Sequence, residues 1–388
     1  MRTTDFEYEL PPELIAQEPA EPRDSARLMV VRPSPPSPLS RLRGRGGATG
    51  EIRRGTDIPP SPPAPLPLRR EKGGTFSGEA ELAGGGSVEH RVFRELPEVL
   101  RAGDLLVVND TRVMAARLYG RREDTGGRVE ALLVRPLTDT RWETLFRPAK
   151  AAVEGRRFVF QGADGELGAV STRRRDDVVE LEFERAFDPA TVGRVPLPPY
   201  IKGYEGDPER YQTVYAREAR SAAAPTAGLH FTPELLARLE GMGVGRAAVT
   251  LEVGPGTFKP VTVDDPREHA LHAEHVTVSR EAAEAVRAAK ADGRRVVAVG
   301  TTVVRTLEHV ARERGQVEEY AGWTSLKILP GDEFLVVDGL ITNFHLPRST
   351  LLMLVCAFAG KELVMEAYRE AVREGYRFYS FGDAMVIL

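Results

Sequence analysis

The chain has 388 residues, 41% of them hydrophobic and 28% charged, and a formal net charge of −4, so it is long enough for two domains and exerts no global pull on nucleic acid. Any RNA site therefore has to be a local basic patch on an acidic body. A lone Cys356 in an apolar stretch argues against disulfides and cysteine metal sites; with no apolar run near the ~18–20 residues of a membrane span and no signal peptide before the acidic start, a cytoplasmic enzyme is expected.

In chain order, Pro11 and Pro12 predict a short helix over Glu13 to Gln17, ended by Pro19 and Pro22, and Arg27 to Val31 predicts a strand. Residues 33–87 hold PSPPSP, PPSPPAPLP and GGGS with no periodic apolar pattern, which predicts a flexible, polyproline-like insertion. Its first half is basic through Arg41, Arg43, Arg45, Arg53 and Arg54. Order resumes at Val88, and Asp104 to Val108 predicts a buried strand running into Asn109-Asp110-Thr111-Arg112. Between Ala116 and about Phe183 the segments ARLYG, RVEALLV, WETLF, RRFVF and VVELEFE, separated by turns, predict a small β-barrel or sandwich.

The second half has α/β rhythm. Thr232-Pro233-Glu234 starts a helix ending near Gly241, Ser279 caps another to Asp292, and strands are expected at Ala247 to Val253 and Arg295 to Val299. Gly300-Thr301-Thr302 leads into a helix from Val303 to Arg314. Phe334 to Ile341 predicts a strand, and Ser349 caps an apolar helix that stops at Gly360. The fold class is α/β: a larger, Rossmann-like layered domain with a smaller all-β barrel inserted. Its parts are residues 1–32, 88–113 and 199–388 for the discontinuous catalytic domain, 114–198 for the barrel, and 33–87 for the insertion.

Several stretches could carry chemistry. The chain has only two Asn, and both Asn109 and Asn343 follow apolar strands, which points to one shared site. SAAAPTAGLHFT, holding Thr226 and Gly228, lets backbone amides approach a ligand and delivers His230 before a helix start; a tight chain crossing with His230 as a core donor is the alternative. GPGTF precedes DDPREHALHAEH, where His269, His272 and Glu274 have a spacing that could suit a metal; an HxxH pair on a helix ligates zinc only with a third ligand, and no Cys or nearby HExxH supports one, so no metal is expected. Gly300, Thr301 and Thr302 at a helix start form an anion or nucleoside cradle that Arg305 could reach. Thr342, Asn343 and His345 gather at a strand end before Pro347, where open α/β sheets hold ligands.

Ten ordered blocks, among them GDLLVVNDTRVMAARLYGR, SAAAPTAGLHFT, VGPGTFKPV, AVGTTVVRTLE, VVDGLITNFHLPRSTLLMLVCAFAG and YRFYSFGDAM, closely resemble the S-adenosylmethionine:tRNA ribosyltransferase-isomerase family of queuosine biosynthesis. The resemblance spans nearly all of the chain outside 33–87. It implies transfer of the ribosyl part of S-adenosylmethionine to 7-aminomethyl-7-deazaguanine at the tRNA wobble position, releasing adenine and methionine. It also implies a cytoplasmic, monomeric, membrane-free enzyme with S-adenosylmethionine as co-substrate and tRNA as partner.

On that resemblance, the sulfonium acidifies the 5′ carbon and calls for a base, with His230, His345, His269 and His272 as candidates. Adenine departure calls for a proton donor, with Asp110 or Asp338 as candidates. Asn109, Asp110 and Asn343 suit the ribose hydroxyls, Thr111 and Arg112 are further candidates to hold S-adenosylmethionine, Thr226 and Gly228 suit the close approach of backbone, and Gly300, Thr301, Thr302 and Arg305 the methionine carboxylate. Glu252 stands where the family commonly has His, and Leu271 where Met is common. Arg121-Arg122 and Arg173-Arg174-Arg175 are candidate RNA contacts. The rival readings are a non-catalytic tRNA-binding relative and a methyltransferase, although the latter's glycine-rich first turn is missing.

Overall fold

Leu105 to Val108 are apolar without alternation because both faces of their strand are covered: Leu105 and Val107 pack into one core cluster, Leu106 and Val108 into another. This strand lies fourth in a ten-stranded sheet in the computed structural model, which describes residues 1–34, 79–82, 85–163, 165–254 and 261–388. From one edge the order is Tyr320–Thr324, Glu274–Val278, Gly245–Leu251, Leu105–Asn109, Val296–Val299, Gly339–Asn343, Ala384–Ile387, Arg27–Pro33, Gly86–Val92 and Glu79–Leu82. The four strands from Gly245–Leu251 to Gly339–Asn343 run parallel, so their carboxyl ends open on one side.

Helices Arg280–Ala291, Thr301–Arg314, Thr350–Ala359 and Lys361–Arg373 cover one face, with Val303, Leu307, Leu352 and Tyr368 among the buried contacts. Helix Pro233–Gly241 and the 3-10 turn Phe93–Glu98 cover the other. The caps are those the sequence shows. The hydroxyls of Thr232, Ser279 and Ser349 accept from the amides of Leu235, Ala282 and Leu352 at 3.1, 3.2 and 3.2 Å.

Between Arg117 and Phe183 six antiparallel strands close into a barrel. Its inward rows include Val179, Leu181 and Phe183, each at most 2% exposed. Gly165–Arg175, not foreseen from sequence, is the closing strand; its two glycines and basic end hide the inward row Leu167, Ala169 and Ser171.

Three expectations change. The helix over Glu13 to Gln17 is a single 3-10 turn, Pro12–Leu14, after which Ile15 bridges Phe378. The strand expected from Phe334 begins only at Gly339, because the buried Glu308 carboxylate accepts the backbone N–H groups of Leu335, Val336 and Val337 at 2.8, 3.0 and 3.1 Å. Those amides are thereby withdrawn from any ladder. The insertion read as 33–87 also has ordered edges, since Pro33 ends one strand and Glu79–Leu82 and Gly86–Val92 pair as a hairpin. The interior of that stretch, with Arg41, Arg43, Arg45, Arg53 and Arg54, lies outside the described residues, as do residues 255–260 of the GPGTF motif.

Candidate active site

Five loops meet at the carboxyl ends of the parallel strands. Gly300 turns the chain from strand to helix with φ +93°, a conformation L side chains rarely adopt, and its amide donates to the Ile341 carbonyl at 2.8 Å. Thr301 and Thr302 follow on the first turn. The Thr226 hydroxyl donates to Asn343 Oδ1 at 2.8 Å, and Asn343 Nδ2 donates to the Tyr379 carbonyl at 3.1 Å. One buried amide thus ties the TAGLH, TNFH and FYSFGD loops together. Asn109 bonds both backbone groups of Leu251 at 3.1 Å and donates to Thr302 Oγ1 at 3.3 Å.

These loops enclose a cavity of about 160 Å³ lined by Thr226, Gly300, Thr301, Thr302, Asn343 and His345, with Tyr200, Tyr379, Leu351 and others completing the wall. No Asp, Glu, Lys or Arg lines it among the described residues. His345 Nε2 lies 2.8 Å from Thr342 Oγ1, and burial pushes its pKa down to about 3, so the ring is neutral. Burial likewise pushes the Tyr200 phenol up to about 12, with its hydroxyl 2.7 Å from Ser380 Oγ. Among the described residues the lining is therefore uncharged at physiological pH.

Tyr200, Tyr379 and Ser380 had no chemistry assigned from sequence. The Tyr200 and Tyr379 rings pack with centroids 4.6 Å apart and planes tilted by 34°, and Tyr379 holds φ +71°, strained for a bulky residue. Its buried hydroxyl has no hydrogen-bond partner among the described residues. The only sequence signal was that YIK and FYSFGD recur among the blocks of the resemblance.

The other candidates fall elsewhere. Asp338 is a correction: it precedes the Gly339–Asn343 strand, at the end remote from the cavity by roughly 16 Å of chain. There it accepts from Lys290 Nζ at 2.8 Å and the Val296 amide at 2.9 Å. His230 does not line the main cavity; its ring stacks on Phe93, with Nδ1 3.2 Å from the Ala227 carbonyl and Nε2 2.9 Å from that of Gly382. Burial holds its pKa below the usual value, so the neutral ring donates to one of these carbonyls and braces two cavity loops. Gly228 is needed for packing rather than ligand approach, because an added Cβ would collide with Tyr215 Oη.

Asp110 accepts from the Thr250 hydroxyl at 2.6 Å and sits 3.5 Å from Arg217. The Thr111 amide donates to Asn109 Oδ1 at 3.1 Å, and Arg112 pairs with Glu209. None of Asp110, Thr111 or Arg112 lines the cavity, which the NDTR loop touches only through Asn109 and Thr302. His269 and His272 lie in coil, not on a helix. Arg305 is engaged by Glu274 and lines a smaller neighbouring cavity with His272. Among the described residues no three His, Cys, Asp or Glu side chains are grouped as a metal would require. Glu252 sits 3.5 Å from His275 Nδ1, outside the cavity wall. Arg121 and Arg173 pair with Glu166 and Glu180 on the barrel surface.

The profile of a family described as queuosine biosynthesis protein matches residues 3–40 and 80–387. The chain belongs to the queuosine biosynthesis protein family. Two relatives named S-adenosylmethionine:tRNA ribosyltransferase-isomerase, from Symbiobacterium thermophilum and Thermotoga maritima, are 50% and 48% identical, covering 100% of this chain and of each relative. A crystal structure of the S-adenosylmethionine tRNA ribosyltransferase from Thermotoga maritima covers 99% of this chain and 100% of its own, at 40% identity and a TM-score of 0.50. The family profile passes over residues 41–79, the interior of the Pro/Gly-rich stretch, and takes in every loop of the cavity.

Proposed function

We propose that this enzyme transfers and isomerises the ribosyl moiety of S-adenosylmethionine onto 7-aminomethyl-7-deazaguanine at the wobble position of tRNA, giving epoxyqueuosine-tRNA, adenine and methionine, and that the cavity at the strand ends is where the sulfonium reacts. Full-length family membership supports the reaction. The observation that carries the choice of site is the convergence of Thr226, Asn343, Gly300, Thr302 and His345 on one cavity whose described lining has no charged side chain.

The uncharged wall has a chemical consequence. A sulfonium moved from water into such a cavity loses hydration and gains no counter-charge from the described lining, so the cationic form is disfavoured. Hydroxyls and amides at Thr226, Thr301, Thr302 and Asn343 orient the ribose and the departing base. His345, held neutral, contributes hydrogen bonds to the ligand. His230 acts from behind the wall, as a positioning residue.

The reading includes a monomer working in the cytoplasm; no helix among the described residues is long and apolar enough to cross a membrane. The test is release of adenine from S-adenosylmethionine that requires tRNA carrying the aminomethyl base. Formation of S-adenosylhomocysteine instead would mean methyl transfer, and neither product would mean a binding protein.

A further inference from the structure

Beside the main cavity lies a second of about 20 Å³, and Leu351 lines both. Arg305, only 5% exposed, lies on its wall. Its Nε donates to the Leu326 carbonyl at 2.9 Å and its Nη1 to Glu274, but Nη2 is buried without a hydrogen-bond partner among the described residues. Leaving guanidinium N–H groups unsatisfied in a protein interior is costly, so an acceptor is expected there. The same cavity is lined by Thr350 and Leu351, the first residues of helix Thr350–Ala359, whose amides have no intrahelical acceptor and whose end carries positive potential. Lys327 adds a charge at the rim, where its ammonium donates to the carbonyls of Pro266, Arg267 and His269 at 2.6, 2.7 and 2.8 Å.

We propose that Arg305 Nη2 and the start of helix Thr350–Ala359 form the subsite for the α-carboxylate of the methionine half of S-adenosylmethionine. The inference rests on the reading of the main cavity given above and extends it to the amino-acid end of the ligand. Geometry supports the path: Arg305 follows Thr301 and Thr302 by four and three residues, so all three share a helix face running from one cavity to the other. Burial excludes the other ready anion: the space admits a single carboxylate oxygen, and a guanidinium this buried is out of reach of an RNA phosphate.

The test is equilibrium binding of S-adenosylmethionine and its decarboxylated analogue to the wild-type enzyme, to Arg305→Lys, and to the double variant Arg305→Gln, Glu274→Gln, with tRNA-dependent adenine release measured alongside. Arg305→Lys keeps the charge opposite Glu274 and so protects the fold; it decides the matter alone if the double variant does not fold. The wild type is expected to favour the carboxylate-bearing ligand by about tenfold or more, the worth of a charged hydrogen bond, and this preference should shrink in Arg305→Lys and vanish in the double variant. Equal binding of both ligands by wild type, with adenine released, overturns the subsite alone. A preference that persists in the variants overturns it too, as does a loss of tRNA affinity in place of the preference. Binding of neither ligand, with no adenine released, overturns the function proposed above together with the subsite.

Discussion

His345→Gln isolates the electrostatic character of the cavity. The imidazole lies 2.8 Å from Thr342 Oγ1, and burial takes its pKa from 6.5 to about 3. Between those values the unfolded chain binds a proton that the folded protein refuses. Stability present above about pH 6.5 is therefore lost as pH falls toward 3, with a slope of up to about 1.4 kcal/mol per pH unit. From pH 7 to 5 this one ring should cost about 2 kcal/mol. Glutamine can still bond Thr342 but does not titrate. Urea unfolding at pH 7 and pH 5 should show the wild type losing about 2 kcal/mol more than the variant. His90 and His230, also held below the usual value by burial, are present in both proteins and cancel. Equal losses in the two proteins would refute the argument. A ring kept neutral this firmly is a weak base, so turnover of the variant should fall by less than about 100-fold, below the range for a lost general base.

Other changes read different parts of the structure. Glu308→Ala strands the amides of Leu335, Val336 and Val337 and should destabilise by at least about 3 kcal/mol, whereas Glu308→Gln, retaining one acceptor oxygen, should cost less; thermal unfolding separates them. Thr226→Val removes the 2.8 Å bond to Asn343 and leaves a buried amide oxygen short of a donor, so KM for S-adenosylmethionine should rise about tenfold with the fold intact. Asp338→Asn, at the far end of the sheet, should weaken the Lys290 contact by about 1 kcal/mol or less and leave turnover unchanged.

What the sequence revealed followed from how local the signals were. The Thr232, Ser279 and Ser349 caps are decided within four residues, and all three helices begin where expected. The apolar run before Asn109 marked a doubly covered strand; of the two Asn, Asn343 lines the cavity and Asn109 meets it only through its bond to Thr302. Failures came from partners remote in sequence. Nothing in FLVVDGL reveals that Glu308 captures its amides, and starting the strand too early put Asp338 inside it, whereas it precedes the strand. His230 follows a small-residue loop that does form cavity wall, but its ring turns toward Phe93 and the Gly382 carbonyl, a choice made by packing. The Tyr200–Tyr379 contact joins residues 179 positions apart and left no local trace.

A crystal structure with S-adenosylmethionine and an anticodon stem-loop bound bears most directly on where the chemistry occurs. The expected result puts the sulfur inside the cavity bounded by Thr226, Asn343, Thr302 and Tyr379, with the wobble base at its mouth. Sulfonium density at the opposite ends of the parallel strands, near Asp338 and Lys290, or on the barrel, would contradict it.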